Sequence, residues 1–203
     1  MFKKYWKFFV IFWSVVLVGI IGVFVFFWLI SAGKLGFMPT FEELENPNNR
    51  FASEVYFADG PIMNRYFEKE NRKYIEYREI PQSVIDALIA TEDVRFYDHS
   101  GVDVRGLFRV AKGLLTANTS AGGGSTISQQ LAKMLFPRES DLNVFELAIR
   151  KFREWVIAVR LEKSYTKEEI LTMYLNKFDF LNNAVGIKTA ASTYFGCEPK
   201  DLK

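Results

Sequence analysis

Thiol and imidazole are almost missing from this chain, whose 203 residues include one cysteine, Cys197, and one histidine, His99. A single cysteine excludes an intrachain disulfide and any Cys-rich zinc site, and with one histidine beside it a standard zinc constellation falls away as well. A dominant charge of either sign is also lacking. The net charge is only +2, which gives no electrostatic case for a nucleic-acid partner. No internal repeat or low-complexity tract is present, which argues against solenoids and linker-like arrays.

Phenylalanine is what the chain has in excess, with 20 residues, and this points to a membrane segment or a large apolar surface. VIFWSVVLVGIIGVFVFFWLI, residues 10–30, carries no charge and is long enough to cross a hydrocarbon layer of about 30 Å as a helix. It exceeds the apolar core of roughly 7–15 residues found in cleaved signal peptides, so it reads as an uncleaved signal anchor. Lys3, Lys4 and Lys7 precede it, whereas Lys34 follows alone before the acidic FEELE. That bias places residues 1–9 in the cytoplasm and the chain after Ile30 outside. Residues 31–80 read as a juxtamembrane linker broken by Pro39 and Pro47, with a hairpin in FASEVYFADGPIMNRYF around Asp59-Gly60.

From residue 81 to 203 the period turns helical, and this part is large enough for one domain with its own core. PQSVIDALIATED puts Val84, Ile85, Leu88 and Ile89 on one stripe, and Val104–Leu115 repeats the pattern with Leu107, Phe108, Ala111 and Leu114. Thr126 with Gln129, and Thr166 with Glu169, have the spacing of capping boxes and predict helix starts. A long helix is expected from about Asn143 to Glu162, and a last one over Ala184–Tyr194. The fold class is mainly α, with one transmembrane helix and a small β element ahead of the helical domain.

Three stretches carry candidate chemistry. GGGST leading into a helix leaves aligned backbone N–H groups suited to a phosphate or pyrophosphate, the plain alternative being a flexible loop with a good N-cap. Lys133 adds charge one turn beyond Gln129 and Gln130. RKFREW sets Arg150, Arg153 and Glu154 on one side of the long helix, either as a solvated face with an Arg150–Glu154 pair or as a grip on pyrophosphate. Glu92 and Asp93, within ATEDVRFYDHSGVD, close a helix, where a carboxylate faces the negative end of the dipole and gains nothing. A carboxylate in such a place, if partly buried, has a proton affinity suited to general-base work. A lone histidine such as His99 is more often structural than catalytic.

In their order, EDVRFYDHSG (Glu92–Gly101), GGSTISQQLAK (Gly123–Lys133), RKFRE (Arg150–Glu154), KEEILTMYLN (Lys167–Asn176) and GIKTAASTYFG (Gly186–Gly196) resemble the five motifs of the peptidoglycan glycosyltransferases. These enzymes form the glycosyltransferase module of class A penicillin-binding proteins and the monofunctional transglycosylases. The resemblance implies a lysozyme-like helical domain on the outer face of a bacterial cytoplasmic membrane. Its reaction is polymerisation of lipid II into β-1,4-linked glycan with inversion and release of undecaprenyl pyrophosphate. Glu92 is then the general base on the acceptor 4-hydroxyl, with Asp93, Phe96 and His99 shaping that site. Gly123, Ser125, Thr126, Gln129, Gln130 and Lys133 line the cleft and help hold the donor phosphates. Arg150, Lys151 and Arg153 belong to the pyrophosphate grip, and Glu154 is the second carboxylate, assisting the leaving group directly or through a divalent cation (Mg or Mn). No cofactor is required. Tyr174, Asn176 and the Gly186–Gly196 segment look mainly structural. Partners implied are lipid II, the growing glycan strand, the membrane and other cell-wall synthesis proteins.

The resemblance departs at Ser128 in the usual STIT run and at Glu146, where an Arg is common. It also departs at Leu181 and Asn183, where glycines are usual and a different local backbone is expected. Further helices are expected beyond Lys203, so the module is expected to be C-terminally incomplete, part of a longer bifunctional protein. No transpeptidase activity is expected from these residues. Competing readings are a non-catalytic envelope scaffold and a lysozyme-like hydrolase, the latter having no use for Lys133, Lys151 and Arg153 around a glycine-rich helix start.

Overall fold

The computed structural model describes residues 2–40, 43–44, 53–56, 62–66, 74–116, 123–136 and 143–202. The expected Asp59-Gly60 turn lies outside the described residues, as do 41–42, 45–52, 57–61 and 67–73 of the juxtamembrane stretch. In chain order the elements are α1 (Phe2–Ser31), β1 (Ser53–Tyr56), β2 (Ile62–Tyr66), α2 (Gln82–Glu92), α3 (Val104–Leu115), α4 (Ile127–Leu135), α5 (Val144–Ser164), α6 (Lys167–Lys177) and α7 (Ile187–Ala190), the last widening into a π turn over Ala191–Phe195. The chain divides into two compact units, one of Met1–Met38 with Asp141–Val156, the other of Pro39–Ser140 with Ile157–Lys203. Helix α5 contributes its first part to one unit and its second part to the other.

In the first unit, Tyr5–Ser31 of α1 is long and apolar enough to cross a membrane. The helix ends in a Schellman motif: the Lys34 N–H donates to Leu29 O at 3.0 Å and the Gly33 N–H to Ile30 O at 2.9 Å. Gly33 takes the left-handed φ of 70° that the motif needs, which is why a glycine follows the apolar run. Phe152 of α5 meets Phe26 and Phe27 edge-on, with centroids 5.3 and 5.7 Å away, and Trp155 at 5.1 Å.

The second unit holds the paired strands and the helical domain. β1 and β2 run antiparallel, Ser53 opposite Tyr66 and Val55 opposite Asn64, with an irregularity between Val55 and Tyr56. Its core forms where α4 meets α6: Ile127, Leu131, Ile170 and Leu171 are fully buried and Leu175 nearly so. Each such side chain contributes about 1.5–3 kcal/mol on leaving water. Asn176 ties α6 to the segment before α2, accepting from the Ile75 N–H at 2.9 Å and donating to Ile75 O at 2.8 Å. The Tyr165 hydroxyl donates to Leu44 O, and Arg160 donates to Pro39 O at 3.1 Å.

Two expectations differ in detail. The inward face of α3 carries Gly106, Val110 and Gly113, while Phe108 is 73% exposed; a Cβ on Gly106 would come 2.5 Å from Asp103 Oδ2, the side chain that caps the helix. The last helix starts at Ile187 rather than Ala184, since Gly186 has a φ of 83° and its N–H donates to Phe178 O. Leu181 and Asn183 take left-handed φ values of 68° and 61°, a conformation that is strained for a residue such as leucine.

Candidate active site

The site in the second unit is built where the C-terminal end of α2 meets the N-terminal end of α4. Asp93 is the C-cap of α2, and its carboxylate accepts the Ile127 N–H at 3.1 Å. That N–H is one of the orphan donors at the positive end of α4. The acid that looked misplaced at a helix C-terminus is therefore a neighbour's N-terminal acid, 34 residues away in sequence. Both carboxylate oxygens also face His99 Nε2, at 3.0 and 3.1 Å, and both side chains are buried. An ionised carboxylate only accepts, so His99 Nε2 carries a hydrogen.

Thr126 caps α4, accepting from the Gln129 N–H at 3.2 Å and donating to Gly101 O at 2.7 Å. Gly101 has a φ of 94°, and a Cβ there would sit 2.7 Å from the Ala158 carbonyl carbon of α5, so only glycine fits. The expected Thr126–Gln129 capping box is half made. The Gln129 side chain is fully buried and donates to Gly101 O at 3.4 Å instead of reaching back to the cap. At Thr166 and Glu169 both halves of the box are present. Behind the site, Lys167 donates to His99 O at 2.7 Å and pairs with Glu162, and lies 4.2 Å from the Phe96 ring centroid. Phe96 is fully buried.

A cavity of about 380 Å³ opens in front of this framework. Its walls are Thr91–Arg95, Asp103, Gly106, Arg109, the turn Gly123–Thr126 and Gln130. Glu92 is exposed there rather than partly buried, and its Oε2 accepts the Gln130 amide at 2.7 Å. Gln130 in turn accepts the Tyr174 hydroxyl on Oε1 at 3.1 Å. The Tyr174 phenol is pushed far up from its ordinary value, first by burial and then by the nearby charge of Glu92. Asp103 caps α3 through the Gly106 N–H at 3.0 Å and takes Arg95 Nη2 at 2.5 Å. Burial pushes the Asp103 carboxyl up, but Arg95 and the Gly106 N–H outweigh it and hold the group below the usual carboxylate range. Arg109 reaches Gly123 O at 3.3 Å, and Gly124 lies against Val110, where a Cβ would come within 3.2 Å.

Of the residues singled out in the sequence, Glu92, Asp93, Gly123, Ser125, Thr126 and Gln130 share this cavity's wall. Phe96, His99 and Gln129 stand behind it as framework, and Lys133 lies on α4 outside the wall. Adjacent Gln129 and Gln130 diverge because a helix turns about 100° per residue, sending one inward and the other to the cavity. Arg95, Asp103 and Arg109 are wall residues that sequence reasoning missed, and nothing in their local pattern separates them from a solvated basic helix. Arg150, Lys151, Arg153 and Glu154 lie on the part of α5 that belongs to the first unit. There Glu154 takes Lys151 Nζ at 3.1 Å, and the Arg153 guanidinium occupies the space a Cβ on Gly36 would need, 2.2 Å from Nη1. Among the described residues no group of three His, Cys, Asp or Glu side chains could hold a metal ion.

Residues 59–203 match the transglycosylase family, and the chain belongs to it. It is 39% identical over 159 residues to penicillin-binding protein 1A of Escherichia coli (strain K12), an alignment covering 78% of this chain and 18% of that protein. Penicillin-binding protein 1F of Bacillus subtilis (strain 168) is 42% identical over 133 residues, covering 66% and 18%. Penicillin-binding protein 1A of Vibrio cholerae serotype O1 is 34% identical over 187 residues, covering 92% and 22%. Within the family the chain corresponds to the glycosyltransferase module of class A penicillin-binding proteins. It spans about a fifth of the length of the relatives it matches.

Proposed function

We propose that the chain is a peptidoglycan glycosyltransferase that polymerises lipid II and releases undecaprenyl pyrophosphate, with Glu92 as the general base. The observation that carries this reading is the shared cavity: a free carboxylate edge at Glu92 faces the same space as the glycine-rich start of α4. A sugar hydroxyl is a poor nucleophile and needs a base within hydrogen-bond reach. Pyrophosphate is a good leaving group once its charge is met by fixed N–H donors and cations. Glu92 accepts the proton of the acceptor 4-hydroxyl on Oε1 while Gln130 occupies Oε2. Gly123, Ser125 and Thr126 supply backbone donors, and Arg109 adds a cation that the motifs alone did not indicate. For Lys133, Arg150, Lys151, Arg153 and Glu154, roles at the pyrophosphate rest on the motifs. Asp93, Phe96, His99 and Gln129 hold the frame.

The apolar α1 anchors the chain in the cytoplasmic membrane, with the N-terminus inside and the helical domain on the outer face. This orientation rests on the lysine bias before residue 10. An enzyme bound to the bilayer meets a lipid-linked substrate confined to the same surface. The test uses the detergent-solubilised chain with labelled lipid II beside Glu92→Gln, separating products by size. Polymer from the parent and a drop of roughly 10²–10⁴-fold in the variant is expected for loss of a general base. Polymer surviving Glu92→Gln at the parent rate sinks the assignment, and a parent that makes no polymer from lipid II but shortens preformed glycan added in its place is a hydrolase.

A further inference from the structure

Tyr174 lies on α6, far in sequence from Glu92, and its ring is buried to 2% and stacked on Phe178 at 5.3 Å. Packing alone would be served by phenylalanine. The hydroxyl nevertheless has a defined partner, Gln130 Oε1 at 3.1 Å, and the other end of that amide is on Glu92 Oε2 at 2.7 Å. The direction of this chain of bonds is forced. Ionised Glu92 only accepts, so the Gln130 NH₂ must point at it, which turns the Gln130 carbonyl to Tyr174 and makes the phenol the donor. A Tyr174 that remains protonated across neutral pH, as its burial and the charge of Glu92 ensure, donates without interruption.

We propose that Tyr174 is a positioning residue for Glu92, acting through Gln130. This rests on the reading of Glu92 as the base. Glu92 selects the NH₂ face of the Gln130 amide, and the phenol anchors the carbonyl end, so that Glu92 Oε2 stays occupied and Oε1 stays open. No proton travels along the chain of bonds; the acceptor's proton goes to Oε1, and the relay holds the carboxylate in one rotamer while it does. Without the hydroxyl, the Gln130 carbonyl loses its anchor, and the amide, still turned NH₂-first to Glu92, no longer holds the carboxylate to one rotamer.

Two measurements on the full chain in detergent micelles test this. In the first, ¹⁵N-glutamine labelling follows the side-chain amides of Gln82, Gln129 and Gln130, the signal of Gln130 being assigned by its loss in Gln130→Met. Gln82 bonds Asp86 at 2.8 Å on the far part of α2 and serves as the internal reference. The Gln130 pair is expected to move in both Glu92→Gln and Tyr174→Phe while the Gln82 pair stays. In the second, lipid II polymerisation by Tyr174→Phe is expected to lose roughly 10–100-fold in kcat with KM within about twofold, the scale of a misoriented reacting group. Because Tyr174 acts through Gln130, the double variant Tyr174→Phe/Gln130→Met should be no slower than Gln130→Met alone. A purely structural tyrosine gives additive losses and overturns the proposal. So does a Gln130 amide indifferent to Tyr174→Phe, whatever the activity, and so does an unchanged kcat. A parent chain that makes no polymer, yet shows the amide response, refutes the functional reading and with it the relay's service to a base, while leaving the hydrogen bonds themselves in evidence.

Discussion

Replacing Asp93 with asparagine probes the clamp that holds the two halves of the cavity wall together. The carboxylate serves two donors at once, the Ile127 N–H at 3.1 Å and His99 Nε2 at 3.0 Å. Asparagine has one carbonyl, so if it turns that oxygen to Ile127 its NH₂ faces the imidazole. The imidazole then has to move its hydrogen to Nδ1 and accept on Nε2. Nδ1, however, is buried without a partner, so an N–H there goes unsatisfied. Such a donor costs about 1–3 kcal/mol, and the two remaining bonds lose their charge assistance as well. The expected loss is about 2 kcal/mol, or roughly 4–8 °C in melting temperature for a domain of this size. Because the chain has one histidine, a long-range ¹H–¹⁵N spectrum of the ring contains one spin system. At pH 7.5 the parent ring should carry hydrogen on Nε2, and Asp93→Asn should shift it to Nδ1. A parent ring with a bare Nε2 facing Asp93 would refute the argument, as would a variant that melts with the parent.

Two further outcomes follow from geometry away from that clamp. Asp103 titrates below its unfolded value in the folded chain, so its contribution is fully present above the unfolded carboxylate range, near pH 4, and is lost as pH falls through the lower folded value. Arg95→Gln should therefore flatten the acid-side decline in urea midpoints between about pH 4 and pH 2.5, and an unchanged slope would separate Arg95 from the effect. Leu181 holds a φ of 68° with 70% of its surface exposed, so Leu181→Gly gives up little burial and relieves strain. A gain of about 1 kcal/mol is expected in chemical denaturation. Asn183→Gly should gain less, since asparagine tolerates that conformation.

What could be read from sequence alone was what depends on local period and neighbours a few residues apart. Val104–Leu115 appeared with the bounds it has in the structure, the long helix missed by two residues at its far end, and the Thr166–Glu169 box is complete. The motif residues of the second unit could be named, but not their division between wall and frame. That division needs to know which way adjacent glutamines turn on α4 and what lies 25–38 residues away, as at Gly101, Asp93 and Glu92. Tyr174 read as a packing residue because its ring packs; only its hydroxyl partner, 44 residues away, sets it apart. Phe108 read as core because apolar periodicity cannot tell an inward stripe of glycine and valine from the outward stripe beside it.

Asp93, Gly101 and Thr126 have a consequence for how this module can change over generations. The start of α4 is tied to residues 93–101 by the Asp93 carboxylate, which accepts the Ile127 N–H, and by the Gly101 carbonyl, which accepts the Thr126 hydroxyl. A change at residue 93 or 101 therefore reaches the turn Gly123–Thr126 as directly as a change within the turn, so the two stretches are bound to vary together.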